Sequence, residues 1–368
     1  MIDDAIALTR RLVQFDTRNP PGGEAECAGF VAGLLRDAGF RVELQEFGPG
    51  RVNVVARSGG GGPAAVFTGH LDTVPLGRAE WRFDPFGGEI SNGRLYGRGS
   101  TDMKAGVAAM IVAAAAAIKE QPDGPPVALV LTGGEETGSD GARALVEAGL
   151  LGEARTLVVG EPTGNRFLAG HKGALWLRAC AHGTAAHGST PHLGDNAIYK
   201  AARAALRLEQ FEFNTARHPV MGAPTLNVGT MAAGENVNSV PDRAELTVDI
   251  RTIPGMRHAA VTDQIGFTLG AETELDVLVD LPPVWSDPGL AEMRRLADAY
   301  RAASSREPEA ASASYFTDAS LLTPALGDVP TVICGPGDPA MAHKTDEYCE
   351  VAEIAAAVGI YRQMMVAS

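Results

Sequence analysis

Five short segments of the chain carry histidine or carboxylate side chains of the types that bind metal ions. They are 68–72 (Thr-Gly-His-Leu-Asp), 97–104 (Gly-Arg-Gly-Ser-Thr-Asp-Met-Lys), 133–136 (Gly-Gly-Glu-Glu), 160–162 (Gly-Glu-Pro) and 342–347 (Ala-His-Lys-Thr-Asp-Glu). In an extended segment, residues two apart point to the same side, so His70 and Asp72 face the same way. A metal-bound imidazole usually donates its second N–H to a carboxylate, which predicts His70 as a ligand and Asp72 as its orienting partner.

The other four segments are ambiguous when each is taken alone. Asp102 stands at or near the start of a predicted helix, where an aspartate commonly caps the helix and binds nothing. Glu135 and Glu136 are adjacent, so in an extended backbone they project in different directions and suit one metal ligand and one general base. A solvated loop would carry the same pair. Glu161 and His343 are each only a potential ligand in a loop.

The elements around these segments predict how they come together. Over the first 170 residues, helical patterns alternate with short runs rich in Val and Leu that end in Gly, Glu, Asp or His. This alternation is typical of an α/β domain with a mostly parallel central sheet. Ligands of such sheets bind at the carboxyl ends of the strands, so we expect His70, Glu135, Glu136 and Glu161 to meet in one crevice.

The pattern changes from about Lys172, where the strands alternate polar and apolar residues as half-solvated antiparallel strands do. Two helical patterns lie between them, and the first pattern returns after Pro282-Pro283. We therefore predict a discontinuous catalytic domain, residues 1–172 and 286–368, interrupted by an inserted smaller α+β domain at 173–285.

Composition limits the function further. The 31 Lys and Arg residues against 45 Asp and Glu give a net charge of −14, which disfavours binding to nucleic acid or to anionic membranes. The start of the chain lacks the pattern of an export signal, and the apolar run from Val107 to Ile118 is too short to span a bilayer, so we expect a cytoplasmic protein. Four scattered cysteines are expected to be reduced core thiols.

Taken together, the segments resemble the M20 metallopeptidase and deacylase family. The resemblance rests on the order His, Asp, Glu-Glu, Glu, His and on H-L-D-T-V-P, G-R-G-S-x-D-M-K and H-K-x-D-E-Y. It extends to W-x-x-D-P-F-G at 81–87 and G-x-x-A-H-G-S-x-P-x-x-G-x-N-A-I at 183–198, and so covers nearly the whole chain.

The resemblance implies a zinc-aminopeptidase-like catalytic domain that holds two Zn²⁺ ions, with Co²⁺ able to substitute. His70 and Glu161 would bind one zinc, Glu136 and His343 the other, and Asp102 would bridge them. The charge of two zinc ions exceeds that of three carboxylates by one, which a bridging hydroxide would balance. That hydroxide would attack the amide, with Glu135 as the general base.

The resemblance also assigns roles to the inserted domain. It would pair two subunits into a homodimer and close as a lid over the catalytic domain. His187 would reach the partner subunit's site and stabilise the tetrahedral oxyanion. Asn238 and Arg251 would hold the substrate, and a guanidinium can bind a carboxylate at two points. For Arg251, an ordinary arginine at the end of a strand is the alternative.

The substrate is expected to be a small N-acyl amino acid or a dipeptide. Residues 335–348 resemble acetylornithine deacetylase and carboxypeptidase-type members of the family more than succinyl-diaminopimelate desuccinylase, and we expect deacetylation. Phe316 stands where the family has a glycine near the substrate and should narrow the pocket. The alternatives are a metal-dependent dipeptidase or glutamate-carboxypeptidase-like exopeptidase, the desuccinylase, and a catalytically inactive binding homologue. A phosphoesterase is disfavoured because the motifs offer few basic groups.

Overall fold

A computed structural model describes residues 2–367, and these form nine α-helices and seventeen strands. The helices are α1 (Ala5–Val13), α2 (Ala25–Asp37), α3 (Ala105–Glu120), α4 (Asp140–Glu147), α5 (Ala197–Glu209), α6 (His258–Leu269), α7 (Ala291–Ser304), α8 (Ala319–Ala325) and α9 (Val351–Ala367). The longer strands are β1 (Arg41–Gly48), β2 (Arg51–Ser58), β3 (Ala64–His70), β6 (Val127–Thr132), β7 (Ala154–Val159), β9 (Gly173–His182), β11 (Thr225–Ala233), β13 (Arg243–Thr252) and β14 (Thr273–Leu281). The short ones are β4 (Ile90–Ser91), β5 (Arg94–Tyr96), β8 (Gly170–His171), β10 (Ala186–His187), β12 (Ser239–Val240), β15 (Val284–Trp285), β16 (Thr331–Ile333) and β17 (Tyr348–Glu350).

The chain divides into two units. The first runs through His171 and resumes over Val284–Ala313 and from Thr317 onward, and the second comprises Lys172–Pro283 with Ser314–Phe316. The sequence-based prediction for the inserted domain is 173–285, and the inserted segment of the second unit runs from Lys172 to Pro283. Its three-residue piece at 314–316 was not expected, and it places Phe316 outside the first unit.

The first unit is built on a six-stranded sheet in the order β1-β2-β6-β3-β7-β16. The strands β6, β3, β7 and β16 run parallel to one another, and the two pairs that involve β2 are antiparallel. The sheet is therefore mostly parallel, as predicted. Every residue of β3 and β6 is buried, which explains why these strands read as continuous apolar runs.

Helix α3 passes through the core of the first unit and packs against α1 and α9. Residues 100–120 are long and apolar enough to cross a membrane by length and composition alone, but 72% of their most apolar 18-residue window is buried inside the protein. It is the core helix that the sequence predicted. The four cysteines are free and buried, also as predicted.

The second unit contains a four-stranded sheet in the order β11-β13-β9-β14, with every neighbouring pair antiparallel. Helices α5 and α6 pack on this sheet and enclose a separate apolar core, which includes Leu175, Leu246 and Ile265. In β13 buried and partly exposed residues alternate from Ala244 to Thr252, as expected for a strand with one solvated face.

We predict that Gly106, at the start of α3, is required for close packing. A methyl group added there would lie 2.2 Å from the backbone oxygen of Gly160, just beyond β7. Gly106→Ala should therefore lower the free energy of unfolding by about 1–3 kcal/mol in urea denaturation. Gly29→Ala is the matched control, because Gly29 lies in α2 with open space around it, and it should raise stability by about 0.5–1 kcal/mol. Equal effects of the two substitutions would contradict the proposed packing.

Candidate metal centre

Three of the predicted ligand segments follow adjacent parallel strands. His70 is the last residue of β3, Glu135 and Glu136 follow β6, and Glu161 follows β7. In the sheet, β3 lies between β6 and β7, and His70 is paired in register with Thr132 at the end of β6. The carboxyl ends of the three strands therefore meet at one edge of the sheet, as expected for a ligand site of this fold.

Two loops bring the remaining side chains to this edge. Asp102 lies in the turn Ser100–Lys104, three residues before α3 begins, and its backbone is extended (φ −119°, ψ 95°). The N-cap residue of α3 is Lys104, and no side chain caps that helix, so the helix-capping alternative for Asp102 is wrong. His343 lies in the loop before β17 with a φ of +63°, a region that non-glycine residues rarely adopt.

The carboxylate of Asp102 lies between the two histidines. Its Oδ1 is 3.0 Å from Nε2 of His70, and its Oδ2 is 3.3 Å from Nε2 of His343. Each histidine also has a glutamate of its own. Oε1 of Glu161 lies 3.6 Å from Nε2 of His70, and Oε2 of Glu136 lies 3.0 Å from Nε2 of His343. The five side chains thus fall into two sets that share Asp102.

Three side chains taken from both sets also lie close together. One potential ligand atom from each of His70, Asp102 and Glu136 lies within 4.8 Å of the others, so these three could hold a metal ion. His343 is the exposed member of the site, with 53% of its side chain accessible, whereas His70 is 1% exposed. Solvent and small molecules can therefore approach from the side of His343.

Asp72 contacts the ring of His70 and the backbone of both Glu135 and Glu136. Nδ1 of His70 lies 2.9 Å from the backbone oxygen of Asp72, and the Asp72 carboxylate is farther away, at 3.5 Å. The orienting partner of His70 is thus first the backbone of Asp72. The carboxylate instead accepts hydrogen bonds from the backbone amides of Glu135 (3.2 Å) and Glu136 (3.3 Å) and from the side chain of Asn19 (2.9 Å).

The glutamates of the site are crowded and buried. Burial, together with the charge of the neighbouring Asp102, raises the pKa of Glu136 to about 7. Burial likewise raises the pKa of Glu135 and of Glu161 well above the usual range, against the attraction of His70. Positive charge nearby therefore stabilises the ionised form of each of these carboxylates, and without it burial destabilises that form.

The histidines respond in the opposite sense. Hydrogen bonds with Asp102 and Glu136 raise the pKa of His343 to about 10. Burial opposes protonation of His70, but contacts with Asp102 and Asp72 outweigh it and raise its pKa well above 6.5. Burial also opposes the ionisation of Asp102, but the same two histidines outweigh it and lower its pKa. In the protein without metal, protons on the histidines therefore supply the positive charge that the carboxylates need.

This donor set fits divalent transition metals. Two imidazole nitrogens and three carboxylates are ligands that zinc accepts, and a carboxylate with one oxygen toward each histidine is placed to bridge two ions. Protons on the histidines would have to leave when metal binds, and the ions would then supply the missing positive charge.

Comparison with known proteins agrees with this geometry. Residues 66–367 match the family model described as Peptidase family M20/M25/M40. The succinyl-diaminopimelate desuccinylase of Rhodospirillum centenum is 33% identical to the chain over 392 residues, which cover 99% of this chain and 97% of that protein. The chain belongs to the M20 peptidase family. It is accordingly a metal-dependent hydrolase of amide bonds.

Solved structures of the M20 family share the fold. An M20 family metallo-carboxypeptidase of Sulfolobus solfataricus superposes with a TM-score of 0.84 at 18% identity, over 99% of each chain. An M20 protein of Bacillus subtilis, described as a dinuclear metal-binding peptidase, gives a TM-score of 0.74 at 17% identity, over 98% of this chain and 96% of that one.

His187 and Asn238 lie side by side in the second unit. Strands β10 and β12 pair His187 with Ser239, and the amide of Gly188 donates to the backbone oxygen of Asn238. Nδ1 of His187 accepts a hydrogen bond from the backbone N–H of Ser189 at 3.1 Å. Because that nitrogen is an acceptor, the proton of a neutral His187 is on Nε2, and the exposed ring is a hydrogen-bond donor.

Arg251 belongs to a polar and aromatic cluster of the same unit. Its Nε is 2.9 Å from Oδ1 of Asp249, and the same oxygen of Asp249 accepts from the indole N–H of Trp176. The Arg251 guanidinium lies 5.9 Å from the ring of Phe316, which packs edge-on against Trp176. The contacts with Asp249 thus fix the direction of the Arg251 guanidinium.

Three polar residues near the site were missed by sequence reasoning. Asp318 is buried and accepts a hydrogen bond from the hydroxyl of Thr132 at 2.5 Å, and burial raises its pKa to about 6. Glu347 and Arg98 form a buried ion pair beside the Asp102 turn. All three lie within or next to the family motifs. The one signal in the sequence was therefore that each is a charged residue of a motif to which no role had been assigned.

Proposed function

We propose that this M20 protein hydrolyses the amide bond of N-acyl amino acids at a pair of zinc ions. The observation that carries the proposal is the position of Asp102, with one carboxylate oxygen toward His70 and the other toward His343. His70 and Glu161 would hold one ion, His343 and Glu136 the other, and Asp102 both. Two zinc ions that share Asp102 would polarise the amide carbonyl of the substrate and lower the pKa of a water molecule toward neutrality.

Glu135 is the general base of the proposed reaction. It is almost fully buried, and its backbone is fixed by the hydrogen bond to Asp72. Glu135 accepts a proton from the attacking water as the water oxygen bonds to the carbonyl carbon. It then delivers that proton to the amide nitrogen as the carbon–nitrogen bond breaks, which gives a carboxylic acid and an amine. The acid then loses its proton to the amine, so the products are a carboxylate and an ammonium group. Asp72 is a positioning residue, because it binds the Glu135 and Glu136 amides.

The proposed substrate carries a free α-carboxylate, which Arg251 binds while Asn238 contacts the substrate beside it. Asp249 and Trp176 support this role because they fix the direction of the guanidinium. The acyl group is acetyl or succinyl. The resemblance of residues 335–348 to acetylornithine deacetylase favours acetyl, and the name of the 33% identical relative favours succinyl. Phe316, beside Arg251, restricts the space around the substrate.

His187 is proposed to serve the active site of the other subunit in a homodimer formed by the second unit. A neutral histidine with its proton on Nε2 can donate to the oxyanion of the tetrahedral intermediate. The Ser189 backbone fixes that tautomer, and the exposed ring leaves the donor accessible. In this arrangement each active site combines Glu135 from one subunit with His187 from its partner.

A panel of substrates tests the reaction. N-acetyl, N-succinyl and N-formyl amino acids are assayed beside dipeptides for released primary amine, with Zn²⁺ or Co²⁺ present. We expect hydrolysis of N-acyl amino acids, its loss after chelation and its return with zinc. Arg251→Ala should raise KM roughly 10–100-fold for substrates with an α-carboxylate, since it removes a charged hydrogen bond, and should have little effect on an N-acyl amine that lacks that group. Faster cleavage of dipeptides would favour the peptidase alternative, and no cleavage of any substrate the binding homologue.

A subunit-mixing experiment tests whether Glu135 and His187 of one active site come from different subunits. Alone, Glu135→Gln and His187→Ala should each lower kcat by roughly 10²-fold or more, because each removes a group that acts in the transition state. After equal amounts of the two single variants are unfolded and refolded together, activity should recover to about one quarter of the wild-type activity. Half of the dimers are then mixed, and each mixed dimer has one complete site.

The control for subunit mixing is a double variant, Glu135→Gln with His187→Ala in one chain, refolded with His187→Ala alone. No site in that mixture combines the two groups, so activity should stay at the level of the single variants. If the first mixture also stays at that level although its subunits have exchanged, His187 does not act across subunits.

A further inference from the structure

Glu347 makes an unusual set of contacts for a buried carboxylate. Its Oε1 accepts hydrogen bonds from the backbone amides of Thr101 (2.9 Å) and Asp102 (3.0 Å). Its Oε2 accepts from the amide of Gly99 (3.0 Å) and from the guanidinium of Arg98 (2.5 Å). Three amides of the turn that carries Asp102 therefore converge on one side chain, which is 0% exposed.

The same residue belongs to the loop that carries His343. Glu347 follows His343 by four positions, and its backbone oxygen accepts from the amide of Gly97 at 2.9 Å. Arg98 donates to the backbone oxygens of Lys344 (3.3 Å) and Pro75 (3.1 Å) as well as to Glu347. The loop and the turn are thus joined through the Glu347 carboxylate and the Arg98 guanidinium.

These contacts explain how the loop that carries His343 keeps its strained conformation. The loop contains His343 and Asp346, both with positive φ (63° and 56°), a conformation that persists only where surrounding contacts fix it. Without the Glu347 carboxylate, the Gly99, Thr101 and Asp102 amides and the buried Arg98 would lose their shared acceptor. The turn and the loop could then shift independently.

We infer that Glu347 is a positioning residue of the metal centre, which sets the distance between Asp102 and His343 by binding the backbone of one ligand and anchoring the loop of the other. This inference rests on the proposed metal centre. Residues that orient metal ligands typically contribute 10- to 100-fold to metal affinity. Since the Glu347 carboxylate binds backbone amides and Arg98, its loss should act first on the placement of the metal ligands and so on metal binding.

The test measures Zn²⁺ affinity directly, by competition with a chromophoric chelator, on full-length protein below its unfolding temperature. Glu347→Gln keeps the size of the side chain but removes its charge and turns an N–H₂ group toward two of the donors. We expect its affinity for at least one zinc ion to fall about 10- to 100-fold. The visible absorption spectrum of the Co²⁺-substituted variant should also change, which a loss of stability alone would not produce.

Glu350→Gln is the matched control. It also removes a negative charge from the neighbouring strand β17, but Glu350 is partly exposed and pairs with Arg94 on the surface. Its zinc affinity should stay within twofold of wild type. If Glu347→Gln does not fold, Glu347→Asp decides the matter, because it keeps the charge but is too short to reach all four donors, and it should lose zinc affinity as well.

The outcomes separate this inference from the function on which it rests. Unchanged zinc affinity and an unchanged cobalt spectrum in the folded Glu347 variant, with two ions bound to wild type, would overturn the positioning role alone. Absence of zinc binding by wild type would overturn the metal centre itself. Weaker zinc binding in Glu347→Gln, with Glu350→Gln like wild type, supports both.

Discussion

Mutual repulsion among buried carboxylates is the constraint on which the rest of this structure depends. Glu135, Glu136 and Glu161 meet at the end of three parallel strands together with Asp102, and burial penalises the charge of each. In its ionised form such a cluster is stable only with compensating positive charge. The histidines at positions 70 and 343 supply part of it as protons, and two divalent cations at the same place would supply more.

The protein holds this cluster together largely through its backbone. Asp72 binds the amides of Glu135 and Glu136, and Glu347 binds the amides around Asp102. In both cases a buried carboxylate outside the proposed ligand set takes hydrogen bonds from the main chain next to a ligand. This arrangement fixes the directions of the ligands with no contact to the ligand atoms themselves, and it leaves those atoms available to a metal ion.

Much of the fold could be predicted from the sequence because its signals are local. The apolar runs of β3, β6 and β7 and the Ala-rich α3 appear where periodicity placed them, and polar residues at the strand ends indicated the edge where the site lies. The extended backbone at Asp102 and the assignment of residues 314–316 to the second unit were not predictable. Both depend on contacts between distant segments, such as the Glu347 carboxylate with the Asp102 turn, which no local pattern encodes.

The most direct measurement of the central claim is anomalous X-ray diffraction from zinc-loaded crystals, with data collected on both sides of the zinc absorption edge. Two peaks about 3.5–4 Å apart are expected. One should adjoin His70 and Glu161 and the other His343 and Glu136, with Asp102 between them. A single peak in fully loaded protein, or two peaks that do not share Asp102, would contradict the dinuclear centre.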